Sequence, residues 1–182
     1  QAMAVQALGG LDPALAEALL GPSLNALMAL GRPTARRLRA ALHTLLRSDS
    51  PAPRPPAGCL VPIDAADLLL PAQIGDYTDF YASIHHASNV GSMFRPDQPL
   101  LPNYKWVPIG YHGRSSSIVP SGTPIRRPCG QLQTDPAPVP VLGPTGALDF
   151  ECEVAAGVGA GNALGSSVPI AEAERHLFGL SL

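Results

Sequence analysis

The middle of the chain concentrates side chains that bind oxyanions and hard metal ions. These side chains lie between Ile74 and Gly110 and in the block that directly follows: Asp76, Tyr77, Asp79, Tyr81, His85, His86, Arg95, Tyr111, His112 and Arg114. Further along the chain, acidic residues alternate with apolar ones at Asp149, Glu151 and Glu153. Carboxylates combined with histidine are the groups that metal-assisted chemistry on a carbonyl compound requires.

The acidic residues Asp149, Glu151 and Glu153 share one face if residues 148–154 form a strand. Same-face neighbours on a strand lie about 6.5–7 Å apart, and like charges so placed repel each other unless a cation or solvent intervenes. Two interpretations stay open: a solvent-facing polar side, which the pattern alone favours, or a site for Mg²⁺ or Ca²⁺, which prefer carboxylate oxygens. Because one strand cannot close such a site, the metal interpretation needs a further ligand, and Asp79 is the candidate.

Histidine in the central block is a candidate general base. An imidazole titrates near neutral pH and accepts a proton from water, although a single histidine is more often a hydrogen-bonded structural residue. His86 follows Asp79 and Tyr81 closely and lies at a predicted helix over residues 82–94. His85 competes with it, and spacing alone does not choose between the two histidines.

The elements that must position these residues are predicted to be helices first and short strands afterwards. In the first fifty residues, Asp12-Pro13 is a typical helix start, with an N-cap aspartate and proline at the first helical position. Pro33 opens the clearest helix, which carries an apolar stripe: Leu38, Leu42, Leu45 and Leu46. Strands are predicted at four places between prolines and glycines: residues 67–70, 117–119, 139–142 and 148–158. The predicted fold class is α+β or mostly β.

A proline-rich stretch divides the chain. Four prolines between Ser50 and Gly58 predict a stiff linker over residues 51–60. The helical residues 1–50 and the strand-rich residues 61–182 are therefore predicted to belong to separate domains.

The composition sets broad limits on function. The chain has 182 residues, 46% hydrophobic and 14% charged, which is typical of a globular protein. A net charge of −2 offers no electrostatic reason to expect a nucleic acid or an anionic membrane as partner. Three cysteines without a Cys-x-x-Cys pair predict neither a zinc site nor a disulfide framework, and Cys152 is expected to be a small buried residue. A cytoplasmic protein is expected.

Several blocks of the central and later chain occur in the order that one enzyme family shows. They are residues 74–81, 86–87, 89–91, 93–95, 110–114, 116–119, 121–128, 148–153 and 176–179. With these blocks, the chain resembles the fumarylacetoacetase (fumarylacetoacetate hydrolase) family strongly from about Pro71 onward and more loosely over its N-terminal helices. The blocks favour this family over the related acylpyruvate hydrolases, isomerases and decarboxylases.

The resemblance implies a fold and a reaction. Residues 1–50 would be the helical end of an incomplete N-terminal domain with an SH3-like barrel, and residues 61–182 the first part of a mixed β-roll catalytic domain. The implied enzyme is a cytoplasmic homodimer that hydrolyses a carbon–carbon bond of the β-diketone fumarylacetoacetate, giving fumarate and acetoacetate. This reaction is the last step of tyrosine and phenylalanine catabolism.

The resemblance also assigns roles to individual residues. It implies Ca²⁺ or Mg²⁺ as the cofactor, with Asp79, Glu151 and Glu153 as its ligands. It selects His86 over His85 as general base, because His86 precedes the alanine of the family pattern. The residues that would bind the carboxylate and keto oxygens of a small β-diketo acid are Tyr81, Arg95 and Tyr111.

The chain departs from the family pattern at its end. The family continues past the Phe-Gly block into an Asn-Asp-Trp-Ser-Ala-Arg-Asp segment, which carries another metal-binding aspartate, and then to a lysine, whereas this chain ends at Leu182. The expectation is an N-terminal and central fragment that is inactive by itself. The alternatives are another member of the superfamily, an acylpyruvate hydrolase or a decarboxylase, and an inactive truncated fragment that binds metal.

Overall fold

A computed structural model describes residues 2–107, 109–133 and 139–182. The chain forms two compact units, which we name by their place in the sequence. The terminal unit comprises Gln1–Ala72 and Ser121–Leu182, and the central unit comprises Gln73–Pro120. Within the described residues, all sheets are two-stranded and antiparallel. The structure is therefore a mixture of helices and short antiparallel sheets.

The helices of the terminal unit come first in the chain. They are α1 (Ala2–Leu8), α2 (Pro13–Leu20), α3 (Asn25–Ala29) and α4 (Gly31–Leu46). The Asp12 side chain accepts hydrogen bonds from the backbone N–H groups of Ala14 (2.9 Å) and Leu15 (3.4 Å), which confirms the predicted helix start. No helix in the described ranges is long and apolar enough to cross a membrane.

The core of the terminal unit lies between α2, α3 and α4. Its buried members are Leu15, Ala18, Leu27 and Leu38. The predicted leucine stripe of α4 is only partly buried, since Leu38 is 6% exposed whereas Leu46 is 51% exposed. The helix also begins two residues earlier than Pro33. Beyond the end of α4, Arg47 and Asp49 form an exposed ion pair. The hydrogen bond from the Arg47 guanidinium lowers the pKa of the Asp49 carboxyl below its ordinary value.

Two strand pairs complete the terminal unit. Cys129–Leu132 (β3) pairs with Val141–Pro144 (β4), and Ala155–Val158 (β5) pairs with Leu177–Ser181 (β6). The second pair is attached to the helices, because Phe178 packs against the helical core. Nearby, Arg32 Nη1 contacts Glu174 Oε2 at 3.2 Å.

The predicted strands agree only partly with these pairs. The strand predicted over residues 139–142 overlaps β4. Residues 67–70 form no strand. In place of the strand predicted over 117–119, Ser115–Ser117 form a 3₁₀ turn. The strand predicted over 148–158 was wrong in its first part, since β5 begins at Ala155. Cys152, in that first part, is exposed and not buried as expected. A short alternating or apolar run forms a strand only where a partner strand accepts its backbone hydrogen bonds.

The central unit contains one helix and one strand pair. The helix α5 (Ile84–Phe94) lies within the predicted 82–94, and the Ser83 hydroxyl caps it by accepting a hydrogen bond from the His86 N–H at 3.3 Å. The strands are β1 (Thr78–Phe80) and β2 (Gly110–His112), which the sequence did not predict. A Cβ at Gly110 would overlap the carbonyl oxygen of Asp79, so only glycine allows β2 to approach β1 this closely.

Candidate functional site

In β1 and its flanking residues, three polar side chains lie on the less exposed face of the strand. Tyr77, Asp79 and Tyr81 are half-buried, whereas Thr78 and Phe80 between them are exposed. Phe80 keeps 53% of its surface accessible, so the usual arrangement of apolar inside and polar outside is reversed along this strand. The half-buried face of this stretch therefore carries one carboxylate between two tyrosine side chains.

Asp79 is held by hydrogen bonds from two tyrosine side chains. The register of the sheet places Tyr111 of β2 directly opposite Asp79. The Tyr111 hydroxyl donates to Asp79 Oδ2 at 2.8 Å, and the Tyr77 hydroxyl donates to the same oxygen at 3.1 Å. The two tyrosine rings lie 6.4 Å apart between centroids, tilted by 38°. Hydrogen bonds to an ionised acceptor are stronger than neutral ones, so the pair orients this carboxylate.

His86 lies against Tyr81. Their ring centroids are 5.3 Å apart, with 50° between the ring planes. The Tyr81 backbone is anchored on both sides: its N–H donates to the Ile109 carbonyl at 3.0 Å, and its carbonyl accepts from the hydroxyl of the buried Tyr104 at 3.3 Å. The imidazole itself is exposed, so water reaches it. His85 is exposed as well, and exposure does not separate the two histidines.

Arg95 lies at the other end of α5. With a rise of about 1.5 Å per residue, its Cα is about 13 Å further along the helix axis than that of His86. Its Nη2 donates to the Pro99 carbonyl at 3.3 Å. A Cβ at Gly91 would overlap the same Pro99 oxygen, so the chain after the helix packs closely on α5. The predicted residues of the central unit thus include two contacting pairs, Asp79–Tyr111 and Tyr81–His86. Arg95 lines a small cavity of about 30 Å³ together with Tyr81.

An open recess of about 500 Å³ lies beside Tyr81. Its lining residues are Phe80, Tyr81, Ala82, Ile84, Tyr104 and Lys105. Volumes of about 300–1,000 Å³ are typical of small-molecule sites. The sequence analysis missed Tyr104 and Lys105 here, and no local pattern signals either one. It also gave no role to Tyr77, although the alternation of Tyr77, Asp79 and Tyr81 was a signal that could have been used.

Glu151 and Glu153 belong to the terminal unit. Both are exposed and lie in residues 148–154, outside any helix or strand that the described chain forms. The argument that a strand places Asp149, Glu151 and Glu153 on one face therefore fails, because the strand starts after them. Within either unit, the described residues contain no group of three His, Cys, Asp or Glu side chains that could hold a metal ion.

Comparisons with known proteins match most of the chain. The family model described as fumarylacetoacetase N-terminal matches residues 2–71, and the one described as fumarylacetoacetate (FAA) hydrolase C-terminal matches residues 76–182. Fumarylacetoacetase of Caenorhabditis elegans is 52% identical over 166 residues, covering 88% of this chain and 40% of that protein. The enzyme of Aspergillus fumigatus is 49% identical over 172 residues, with the same coverage, and the human enzyme 46% over 166. The chain spans about two fifths of the length of these curated relatives.

Proposed function

The chain belongs to the fumarylacetoacetate hydrolase family, and on that basis we propose that it carries part of an active site. That active site would hydrolyse fumarylacetoacetate to fumarate and acetoacetate. The observation that carries the proposal is the arrangement of the central unit. There, an aspartate held by two tyrosines and an exposed histidine packed on a third tyrosine lie on neighbouring elements.

His86 is proposed as the general base. Its ring is open to water, while contact with Tyr81 and the cap at Ser83 restrict where the ring lies. The imidazole takes a proton from water, and the resulting hydroxide attacks a carbonyl carbon of the diketone. The adjacent carbon–carbon bond then breaks, its electron pair leaves as the enolate of acetoacetate, and the proton held by His86 returns to that carbon.

The substrate oxygens are proposed to bind to three side chains. Arg95 presents a planar guanidinium, which suits a carboxylate because two parallel N–H groups match its two oxygens. Tyr81 and Tyr111 present hydroxyls for the keto oxygens, and Tyr81 also lines the open recess. The expected ligand is a small β-diketo acid.

A divalent cation, Ca²⁺ or Mg²⁺, is proposed as the cofactor, with Asp79, Glu151 and Glu153 as the residues that hold it. The donor set fits, because all three are carboxylates and hard cations prefer carboxylate oxygens. When bound, the cation would polarise the diketone and stabilise the enolate. The orientation of Asp79 by Tyr77 and Tyr111 supports a role for this carboxylate beyond surface charge.

The domain organisation and assembly of the family are also proposed for this chain. Residues 1–50 would be the helical end of an SH3-like-barrel domain, residues 51–60 a linker, and residues 61–182 part of a mixed β-roll domain. The match of the C-terminal family model to residues 76–182 supports the last assignment. The complete protein is proposed to be a cytoplasmic homodimer.

The base assignment is tested by His86→Ala in a protein that carries this chain at the full length of its relatives. General acid–base catalysis contributes about 10²–10⁴-fold, so turnover is expected to fall by at least this factor while cation affinity stays near the wild-type value. His85→Ala is the matched control, since it removes the adjacent exposed imidazole. Retained turnover in His86→Ala with loss in His85→Ala would reassign the base to His85.

The substrate is tested by comparing turnover of fumarylacetoacetate with that of fumarylpyruvate and oxaloacetate in the same protein. A clear preference for fumarylacetoacetate supports the proposal. Preference for fumarylpyruvate would indicate an acylpyruvate hydrolase, and preference for oxaloacetate a decarboxylase. Assaying the 182-residue chain by itself then determines whether it acts without additional sequence.

A further inference from the structure

We propose that Tyr77 is a positioning residue, whose hydroxyl orients the Asp79 carboxylate for cation binding. The inference rests on the proposed function, because that function makes Asp79 a metal ligand. Nothing in the resemblance assigns a role to Tyr77, and the assignment comes from the hydrogen bond between its hydroxyl and Asp79 Oδ2.

The carboxylate of Asp79 is bonded from two directions. Tyr77 precedes it by two residues, so both side chains lie on the same, half-buried face of the strand. Tyr111 reaches the same oxygen from the neighbouring strand, where it is the cross-strand partner of Asp79. The terminal torsion of an aspartate has a broad range, and one donor leaves much of that range open. Donors from its own strand and from the neighbouring strand restrict the carboxylate more than either does alone.

Tyr77 matters most when Tyr111 has another task. The proposed function gives the Tyr111 hydroxyl a role in holding substrate oxygens, and its side chain is 51% exposed, in keeping with access to a ligand. When Tyr111 donates to a substrate, the hydrogen bond from Tyr77 keeps Asp79 in place. The half-buried ring of Tyr77 faces that of Tyr111, so a phenylalanine would preserve this ring contact and remove only the donor.

The substitution Tyr77→Phe therefore separates orientation from packing. Removal of a hydrogen-bond partner of a metal ligand typically weakens metal affinity about 10–100-fold, and the remaining bond from Tyr111 places the expected loss near tenfold. The matched control is Thr78→Val, which deletes a hydroxyl from the exposed face of the same strand and is expected to leave affinity unchanged. In an Asp79→Asn background, Tyr77→Phe is expected to have no further effect.

Two measurements test the inference, both on a protein that carries this chain at the full length of its relatives. Three-bond NMR couplings of Asp79, recorded without cation, are expected to show one side-chain rotamer in the wild type and averaging in Tyr77→Phe. Calorimetric titration with Mg²⁺ and with Ca²⁺ gives the affinities of the wild type and the variants.

The outcomes distinguish the inference from the proposed function. Two results would overturn the inference and leave the proposed function intact. One is that Asp79→Asn loses cation affinity while Tyr77→Phe keeps it. The other is that Asp79 holds one fixed rotamer in both the wild type and Tyr77→Phe. Equal affinity in the wild type and Asp79→Asn overturns the proposed metal role of Asp79 and the inference with it. A tenfold loss in Tyr77→Phe that Thr78→Val does not share supports both.

Discussion

Residues 77–81 and residues 148–154 both carry carboxylates that are proposed as metal ligands, yet the two stretches have different structures. In the first stretch, Asp79 lies within β1, half-buried and bonded to two tyrosines. In the second, every residue is exposed and none belongs to a strand, including Glu151 and Glu153. Phe150 at the centre of the second stretch keeps 84% of its surface accessible.

The difference between the two stretches is the presence of a partner strand. β2 pairs with β1 and places Tyr111 opposite Asp79, so pairing creates the hydrogen bond that orients the carboxylate. Among the described residues, no strand pairs with residues 148–154. The alternating sequence pattern thus predicts which side chains would share one face of a strand. The pairing strand determines whether the strand forms and which residues those side chains contact.

The largest expected effect tests how closely the central unit is packed. In Gly91→Ala, the new Cβ would overlap the Pro99 carbonyl oxygen. Overpacking of this kind costs about 3 kcal/mol, and the higher helix propensity of alanine returns about 1 kcal/mol, so the net loss of stability is about 2 kcal/mol. Urea unfolding followed by NMR intensities of α5, with α4 as the internal reference, measures it.

The matched control for this change lies next to the second stretch. A Cβ at Gly146 would meet nothing within 4 Å, so Gly146→Ala is expected to change stability by less than about 0.5 kcal/mol. Equal effects of Gly91→Ala and Gly146→Ala would show that α5 and the Pro99 segment are not closely packed.

A smaller effect is expected in hydrogen exchange, which tests the pairing directly. The Tyr81 N–H donates to the Ile109 carbonyl at the end of the β1–β2 pair, whereas Glu151 lies in an exposed segment outside any strand. The Tyr81 amide is therefore expected to exchange at least about tenfold more slowly than that of Glu151, after correction for local sequence. Slow exchange at Glu151, equal to that of a protected Tyr81 amide, would mean that residues 148–154 are paired as a strand in solution.

Local features of this structure were predicted from the sequence, and non-local ones were not. The cap at Asp12 and the helix α5 depend on contacts within a few residues, and both were predicted. The pairing of Thr78–Phe80 with Gly110–His112 joins two three-residue strands that are distant in sequence, and neither is long enough to show a strand pattern.

The candidate site divides in the same way. Asp79 and the histidine pair His85–His86 were identified from residue type and order, because carboxylate and imidazole carry recognisable chemistry, and only the family resemblance selected His86. The role of Tyr77 depended on the direction of its hydroxyl toward Asp79, and the contribution of Tyr104 on its bond to the Tyr81 carbonyl. Such contacts are consequences of register and packing, which residue types alone do not specify.

The smallest expected effect compares the acidic residues themselves. In Asp79→Asn, an amide replaces the carboxylate that accepts from Tyr77 and Tyr111, and the charge that strengthens both bonds is lost. Both hydroxyls retain some access to water, so the central unit is expected to lose about 1 kcal/mol of stability, measured by its urea midpoint in the absence of cation. Glu151→Gln, at an exposed position outside any strand, is expected to change stability by less than about 0.5 kcal/mol. Equally small effects of the two substitutions would show that the Asp79 carboxylate is no more firmly positioned than that of Glu151. The hydrogen bond from Tyr111 would then not account for the difference between residues 77–81 and residues 148–154.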